Sequence, residues 1–231
     1  MSSGSNFSYR VYRYVRKHRI AVLGPMGSGK TTLIKAVSEH FDTIPIKKYL
    51  ADIGEYESTL VYDHGIVYLK ETSSEFMFIR ENEAQKLVLE GNYDELIRVD
   101  LWGAAGQLHF HSVRKTLIYP KAEAVIYVVD LSRPHTINEA RYLLEEAYRE
   151  VHGLKEGKVP LILVMNKRDL RKVDDDYYPR NLGLDNVTKF VSIAIKGEGV
   201  KEPVLEVVRL LRGRKSTRGH TIQEEEVRCS H

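Results

Sequence analysis

The sequence predicts an α/β fold: a doubly wound, mostly parallel sheet with an extra β-rich insertion between its second and third strands. Three observations carry this. Apolar, β-branched runs recur at spacings longer than a hairpin allows. Stretches of helical period separate them. The first run passes directly into a glycine-rich loop, GPMGSGKT (24–31), at the start of the first helical stretch.

The strands are read from IAVLG (20–24), GIVYLK (65–70), ELIRVDLW (95–102), AVIYVVD (124–130), VPLILVMN (159–166) and KFVSIA (189–194). Helical spacing links Leu33, Val37 and Phe41, then Phe110, Val113 and Leu117. It recurs through Ile137, Ala140, Leu144, Ala147 and Val151, and through Val200, Val204, Val207 and Leu211. Thr136-Ile-Asn-Glu139 reads as a capping box opening the third helix, and Gly153 is expected to close it. Pro203 falls early in the last helix, where proline is tolerated. The insertion spans about 71–94, and its pieces EFMFI and KLVLEG are expected to form an extra hairpin or extended strands at a sheet edge.

With 231 residues, 42% of them apolar, the chain can bury one sizeable core without a metal or disulfide. The organisation expected is a basic N-terminal extension (1–18), one domain (19–212) and a flexible polar C-terminal tail (213–231). The only cysteine, Cys229, cannot form an intrachain disulfide, and this points to a reducing, cytoplasmic setting. No apolar run approaches the ~20 residues of a membrane span, and the first residues lack the apolar core of a signal peptide. A net charge of +3 from 35 basic and 32 acidic side chains is too balanced to argue for nucleic acid as a partner.

GPMGSGKT satisfies G-x-x-x-x-G-K-[ST] and lies in the strand–loop–helix context that this motif requires. Its glycines let backbone N–H groups curl around a phosphate, and the helix N-terminus adds partial positive charge. The loop residues expected at the nucleotide are Gly24, Met26, Gly27, Ser28, Gly29, Lys30, Thr31 and Thr32. Lys30 reaches toward the β- and γ-phosphates, and the Thr31 hydroxyl suits Mg²⁺. The base is expected at NKRD (166–169), after the fifth strand. An Asp169 carboxylate accepts from both N1–H and the 2-amino group of guanine, a pattern adenine does not offer. Asn166 can contact the ring edge, and the Lys167 stem can cover a ring face.

With these motifs the chain resembles the small Ras-like P-loop GTPases, from about Arg19 to Leu211. GPMGSGKT, Thr59 in TLVYDHG, DLWGAAGQ, NKRD and IAIKGEGV occur in that family's order. TLVYDHG looks like the T-x-x-x-D-x-G form of Rab-like and some prokaryotic small GTPases. The resemblance implies GTP and GDP as ligands, Mg²⁺ as cofactor, and an effector or activating protein that reads two switch segments. It implies that Thr59 ligates Mg²⁺ in the triphosphate state and that Asp100 reaches the metal, usually through water. It implies further that the Gly103 N–H contacts the γ-phosphate and that the Ala194 N–H meets the guanine carbonyl.

The chain departs from the family pattern in three places. Ile193 stands where serine is usual, so only a backbone contact carries over there. Either Gly103 keeps the usual second-switch register, or two residues are inserted and Gly106 and Gln107 take the glycine and water-positioning roles. Met26 occupies a position that is often glycine and would crowd the γ-phosphate side, which implies slow intrinsic hydrolysis or a different route for an activating partner.

Rival readings are a GTP-binding regulatory or structural module with little hydrolysis, and a P-loop nucleotide kinase or ATPase. The second leaves NKRD unexplained. Five Arg or Lys between Arg10 and Arg19, interleaved with Tyr9, Tyr12 and Tyr14, could face an acidic membrane, but a charge run is more often a solvated face. Cys229 lies too close to the end for prenylation.

Overall fold

A computed structural model describes residues 15–45, 61–73, 75–104 and 111–216. Strand β1 (Arg16–Leu23) leads through the glycine-rich loop into α1 (Lys30–Val37), and β2 (His40–Pro45) follows. Next come β3 (Val61–Glu71), β4 (Phe76–Ile79), α2 (Glu81–Leu89) and β5 (Leu96–Ala104). A short helix α3 (His111–Val113) runs into a π-helical turn (Arg114–Ile118) before β6 (Ala124–Asp130) and α4 (Ile137–Glu150). The chain continues through β7 (Leu161–Asn166), α5 (Tyr177–Leu182), β8 (Thr188–Ser192) and α6 (Lys201–Ser216).

All eight strands form one sheet in the order β2-β3-β5-β1-β6-β7-β8, with β4 paired to β3. The five strands from β5 to β8 in that order are parallel, as the crossover helices require, whereas β3 runs antiparallel to β2, β4 and β5. Alternation along β1 sends Ile20 and Val22 to one face and Ala21 and Leu23 to the other. Leu33, Ile34 and Val37 of α1 and Val204, Val207 and Val208 of α6 cover the first face. Ala140, Leu143, Leu144 and Ala147 of α4 cover the second.

Three sequence expectations are corrected here. Within the insertion, EFMFI does contribute β4, but KLVLEG is helical. Ala84, Leu87 and Val88 lie at i, i+3 and i+4, a helix face that packs on Tyr68 and Leu96 in a third apolar cluster, and Glu83 accepts the Arg80 N–H at 3.1 Å to cap the helix. Phe41 belongs to β2 rather than to the first helix. Ser38 turns extended after Val37, and Phe41 reaches the core from the strand, opposite Gly65.

The third correction concerns α4. Thr136 and Glu139 form no capping box, because the Thr136 hydroxyl donates to the Arg133 carbonyl and the Glu139 carboxylate serves the glycine-rich loop. The helix closes at Val151, and Gly153, at φ 86°, turns the chain so that its carbonyl accepts from Lys158 and Val159. Residues Arg16 to His18 of the expected extension are the first residues of β1. Among the described residues no helix is long and apolar enough to cross a membrane.

Candidate functional site

The site lies where the parallel strands end. Gly24 leaves β1 at φ 136°, against the Val128 carbonyl of β6, where a side chain would overlap the backbone. Residues 24–29 then wrap to the N-terminus of α1. Lys30 is buried at 6% exposure and donates to the Gly24 and Pro25 carbonyls at 2.8 Å each. Burial pulls its pKa down to about 8, against the opposing influence of Glu139 and Asp63. Thr31 and Thr32 follow at the exposed start of α1, and the Thr31 hydroxyl donates to Asp63 Oδ2 at 2.5 Å.

That contact identifies the acidic partner of Thr31 as Asp63, on β3, which pairs across the sheet with Gly103 of β5. The other Asp63 oxygen accepts from the Thr43 hydroxyl at 3.2 Å. Asp100, expected to reach the metal, lies apart from the Thr31–Asp63 contact. It sits three residues before Gly103, about 10 Å along the strand, beside Arg19 of β1. Its carboxylate takes hydrogen bonds from His64 Nε2 at 3.1 Å and Arg98 Nη2 at 2.7 Å. Burial raises the Asp100 pKa, but those two partners outweigh it and hold the carboxyl below its usual range.

Gly103 is flanked by Val22 and Asp63 on its two neighbouring strands, so its backbone belongs to the sheet. An added Cβ there would lie 2.6 Å from Ile34 Cδ1, which explains the glycine without a phosphate. The pairing argues against the first second-switch register. Gly106, Gln107 and Thr59 lie outside the described residues.

At the NKRD loop, where the base is expected, Asn166 makes three contacts within the protein. Its Nδ2 donates to the Ser28 carbonyl at 2.9 Å, while its Oδ1 accepts from Ser192 Oγ at 3.1 Å and from the Ala194 N–H at 3.0 Å. The Ala194 N–H expected at the guanine carbonyl is therefore engaged by Asn166. One buried amide ties the phosphate loop to β7 and to the turn after β8. Lys167 adopts φ 62°, a left-handed conformation that swings the following residues outward and leaves Asp169 exposed.

Three more residues that motif reading passed over, Asp130, Arg133 and Glu139, join the site. Asp130, fully buried at the end of β6, accepts from Lys167 Nζ at 2.6 Å, Arg133 Nε at 2.7 Å and Ser132 Oγ at 2.6 Å. Burial would raise its pKa, yet hydrogen bonds from Lys167, Ser132 and Arg133 hold it below the usual carboxylate range. Arg133 also donates to the Met26 carbonyl at 2.6 Å, and Glu139 accepts the Met26 N–H at 2.9 Å. A buried aspartate at the end of a strand on the loop's edge was the available signal. Glu139 was obscured by the capping-box pattern.

Gly24, Gly27, Ser28, Gly29, Lys30 and Thr31 thus form one cradle, with Asn166, Lys167 and Ala194 wired to it and Asp169 at its outer rim. Hard oxygen donors at Thr31 and Asp63, a buried lysine and a helix N-terminus equip such a cradle for a polyphosphate with a divalent cation.

The sequence profile of the Ras family matches residues 72–212, a range that includes Asn166, Asp169 and Ala194 and begins after the phosphate loop. The chain is 35% identical to Ras-related protein Rab-33 of Caenorhabditis elegans over 78 residues, 33% of this chain and 25% of that protein. It is 25% identical to Ras-related protein Rab-32 of Mus musculus over 162 residues, 68% of this chain and 57% of that protein. Ras-related protein Rab-32B of Dictyostelium discoideum is 30% identical over 82 residues, 36% of this chain and 31% of that protein. The matched stretch thus spans between a quarter and rather more than half of these relatives.

Proposed function

Because the chain belongs to the Ras family, we propose that it is a small GTPase switch. It binds GTP and GDP with Mg²⁺, hydrolyses GTP slowly to GDP and phosphate, and presents its switch segments to an effector or activating protein. The observation that carries this reading is the double use of Asn166, from Ser28 on one side to Ala194 on the other, which joins the glycine-rich loop, the NKRD loop and the turn after β8 at one sheet edge.

Each residue has a part in that reading. Lys30 exchanges the Gly24 and Pro25 carbonyls for phosphate oxygens, which restores an anionic partner to a buried cation. Asp169, exposed at the rim, accepts from the guanine edge. Lys167, fixed on Asp130, gives the base a stem to lie against. Thr31 and Asp63 offer two hard oxygens, a donor set that suits a small cation retaining several of its own waters, and they would hold Mg²⁺. Bound there, Mg²⁺ supplies charge neutralisation at the β- and γ-phosphates.

A second reading, a GTP-binding module with little or no hydrolysis, draws on Met26. Met26 is 51% exposed at the phosphate loop, where its side chain would crowd the γ-phosphate side. Titration with a fluorescent GDP in Mg²⁺, competed with GTP, GDP and ATP, tests the shared premise; single-turnover phosphate release separates the two. GTP and GDP are expected to compete and ATP is not. Equal competition by ATP sinks the guanine assignment, and retained GTP without phosphate release selects the second reading.

A further inference from the structure

We infer that Arg133 and Glu139 are positioning residues that clamp the phosphate loop at residue 26 and set how long a nucleotide stays bound. The consequence for nucleotide rests on the function proposed above; the clamp itself is geometric.

Both backbone groups of Met26 are held by side chains from the segment that leaves β6. Glu139 Oε1 accepts its N–H at 2.9 Å, and Arg133 Nη2 donates to its carbonyl at 2.6 Å. Two side chains of opposite charge therefore fix one peptide on each side of a single loop residue. The clamp is anchored in turn. Arg133 Nε is held by the fully buried Asp130 at 2.7 Å. The Arg133 carbonyl accepts from Thr136 Oγ1 at 2.8 Å and from the buried Tyr178 hydroxyl at 3.0 Å. The guanidinium lies so close over Gly27 that an added Cβ would stand 2.6 Å from Nη2.

Glu139 is otherwise hard to justify here. A carboxylate beside a phosphate cradle opposes an anionic ligand, so what it contributes is the hydrogen bond to the loop, and the Arg133 charge on the same residue offsets the repulsion. A glycine-rich loop has many conformations open to it, and fixing it before the ligand arrives removes much of the ordering cost of binding. Nucleotide release requires the loop to loosen, which the clamp resists.

The test uses the full chain as Glu139→Ala, Glu139→Gln and Arg133→Ala. Dissociation of a fluorescent GDP is chased with excess GDP in Mg²⁺, and hydrogen exchange at the Met26 amide is followed without nucleotide. A glutamine carbonyl still accepts from Met26, whereas alanine does not. Glu139→Ala and Arg133→Ala should release GDP on the order of tenfold faster, as loss of one well-made hydrogen bond implies, with Glu139→Gln within about threefold of the parent. Met26 amide exchange should accelerate in Glu139→Ala and not in Glu139→Gln.

Unchanged release in both alanine variants overturns the proposal. So does a glutamine variant as fast as the alanine one, since the carboxylate charge rather than the bond would then matter. Should the parent chain retain no guanine nucleotide, the functional reading fails, and amide exchange alone decides the clamp: unaltered Met26 protection in Glu139→Ala refutes it.

Discussion

The Thr31 hydroxyl donates to Asp63 at 2.5 Å, across from α1 to β3. The carboxylate beside the phosphate loop therefore comes from the strand that precedes the insertion, and Asp100 serves a separate cluster with His64 and Arg98. This difference in surroundings predicts that the two aspartates fail differently. Asp63→Ala should speed GDP release in Mg²⁺ by an order of magnitude or more, and adding a chelator should then change little. Asp100→Ala should leave the chelator effect intact and lower thermal stability by about 1–3 kcal/mol, because two partners lose their acceptor. A chelator response abolished by Asp100→Ala instead of Asp63→Ala would return the metal to β5.

Lys30 predicts proton uptake. Its pKa in the ligand-free protein is about 8, below its ordinary value because burial disfavours the charge. Phosphate oxygens beside it favour the charged form and raise that pKa on binding. Below about pH 8 the ammonium is already protonated and affinity is insensitive to it. Above about pH 8 binding must take up a proton, so GDP affinity should fall as pH rises, by at most tenfold per pH unit. Calorimetric titration near pH 8.5 in two buffers of different ionisation enthalpy reads the proton directly; identical heats in both would contradict a titrating Lys30.

Much of this was legible in the sequence, for identifiable reasons. The phosphate loop could be read because its chemistry demands glycines and a lysine at fixed spacing, and the parallel strands because burial on both faces makes them continuous apolar runs. Asp63 and Asp100 could not be told apart, since both end a β-branched stretch near a glycine and only the β3–β5 register places one of them opposite Gly103. KLVLEG misled because a short apolar run fits a strand as well as a helix. What decided it was the helix face of Ala84, Leu87 and Val88 against Tyr68 and Leu96, contacts remote in sequence. The three protein contacts of Asn166 were not legible, because its partners Ser28, Ser192 and Ala194 come from segments remote in sequence.

A buried ion pair predicts a stability loss remote from the site. Arg114, in the π-helical turn, meets Glu146 of α4 through Nε at 2.6 Å and Nη2 at 2.9 Å, and Tyr119 donates to the same carboxylate at 2.6 Å. The side chains are 2% and 0% exposed, so removing Glu146 takes a bidentate anionic acceptor from a buried guanidinium. Glu146→Ala should destabilise the fold by about 3–5 kcal/mol. Chemical denaturation of the two proteins measures it, and a loss under about 1 kcal/mol would mean that water reaches the pair.

Asp169→Asn asks whether the exposed carboxylate beyond Lys167 reads a base. The φ of 62° at Lys167 turns the loop outward, and Asp169 stands exposed at the rim of the cradle that Asn166 ties together. Guanine presents two donors on that edge, N1–H and the 2-amino group, and a carboxylate accepts both. An asparagine amide offers one acceptor and one donor, so the 2-amino group would face a donor. A mismatch of this kind costs about 1–3 kcal/mol, and more where a charged acceptor is lost, so GTP affinity should fall at least tenfold. Xanthine carries a carbonyl in place of the 2-amino group, which suits the new amide donor. The variant should therefore lose GTP and gain xanthosine triphosphate in direct titrations with Mg²⁺, while the anchoring of Ser28 and Ala194 on Asn166 keeps the phosphate loop as it was. If the two nucleotides shift together, the carboxylate contributes general electrostatics and not base recognition; if neither shifts, NKRD is a solvated turn and the guanine reading of this site fails.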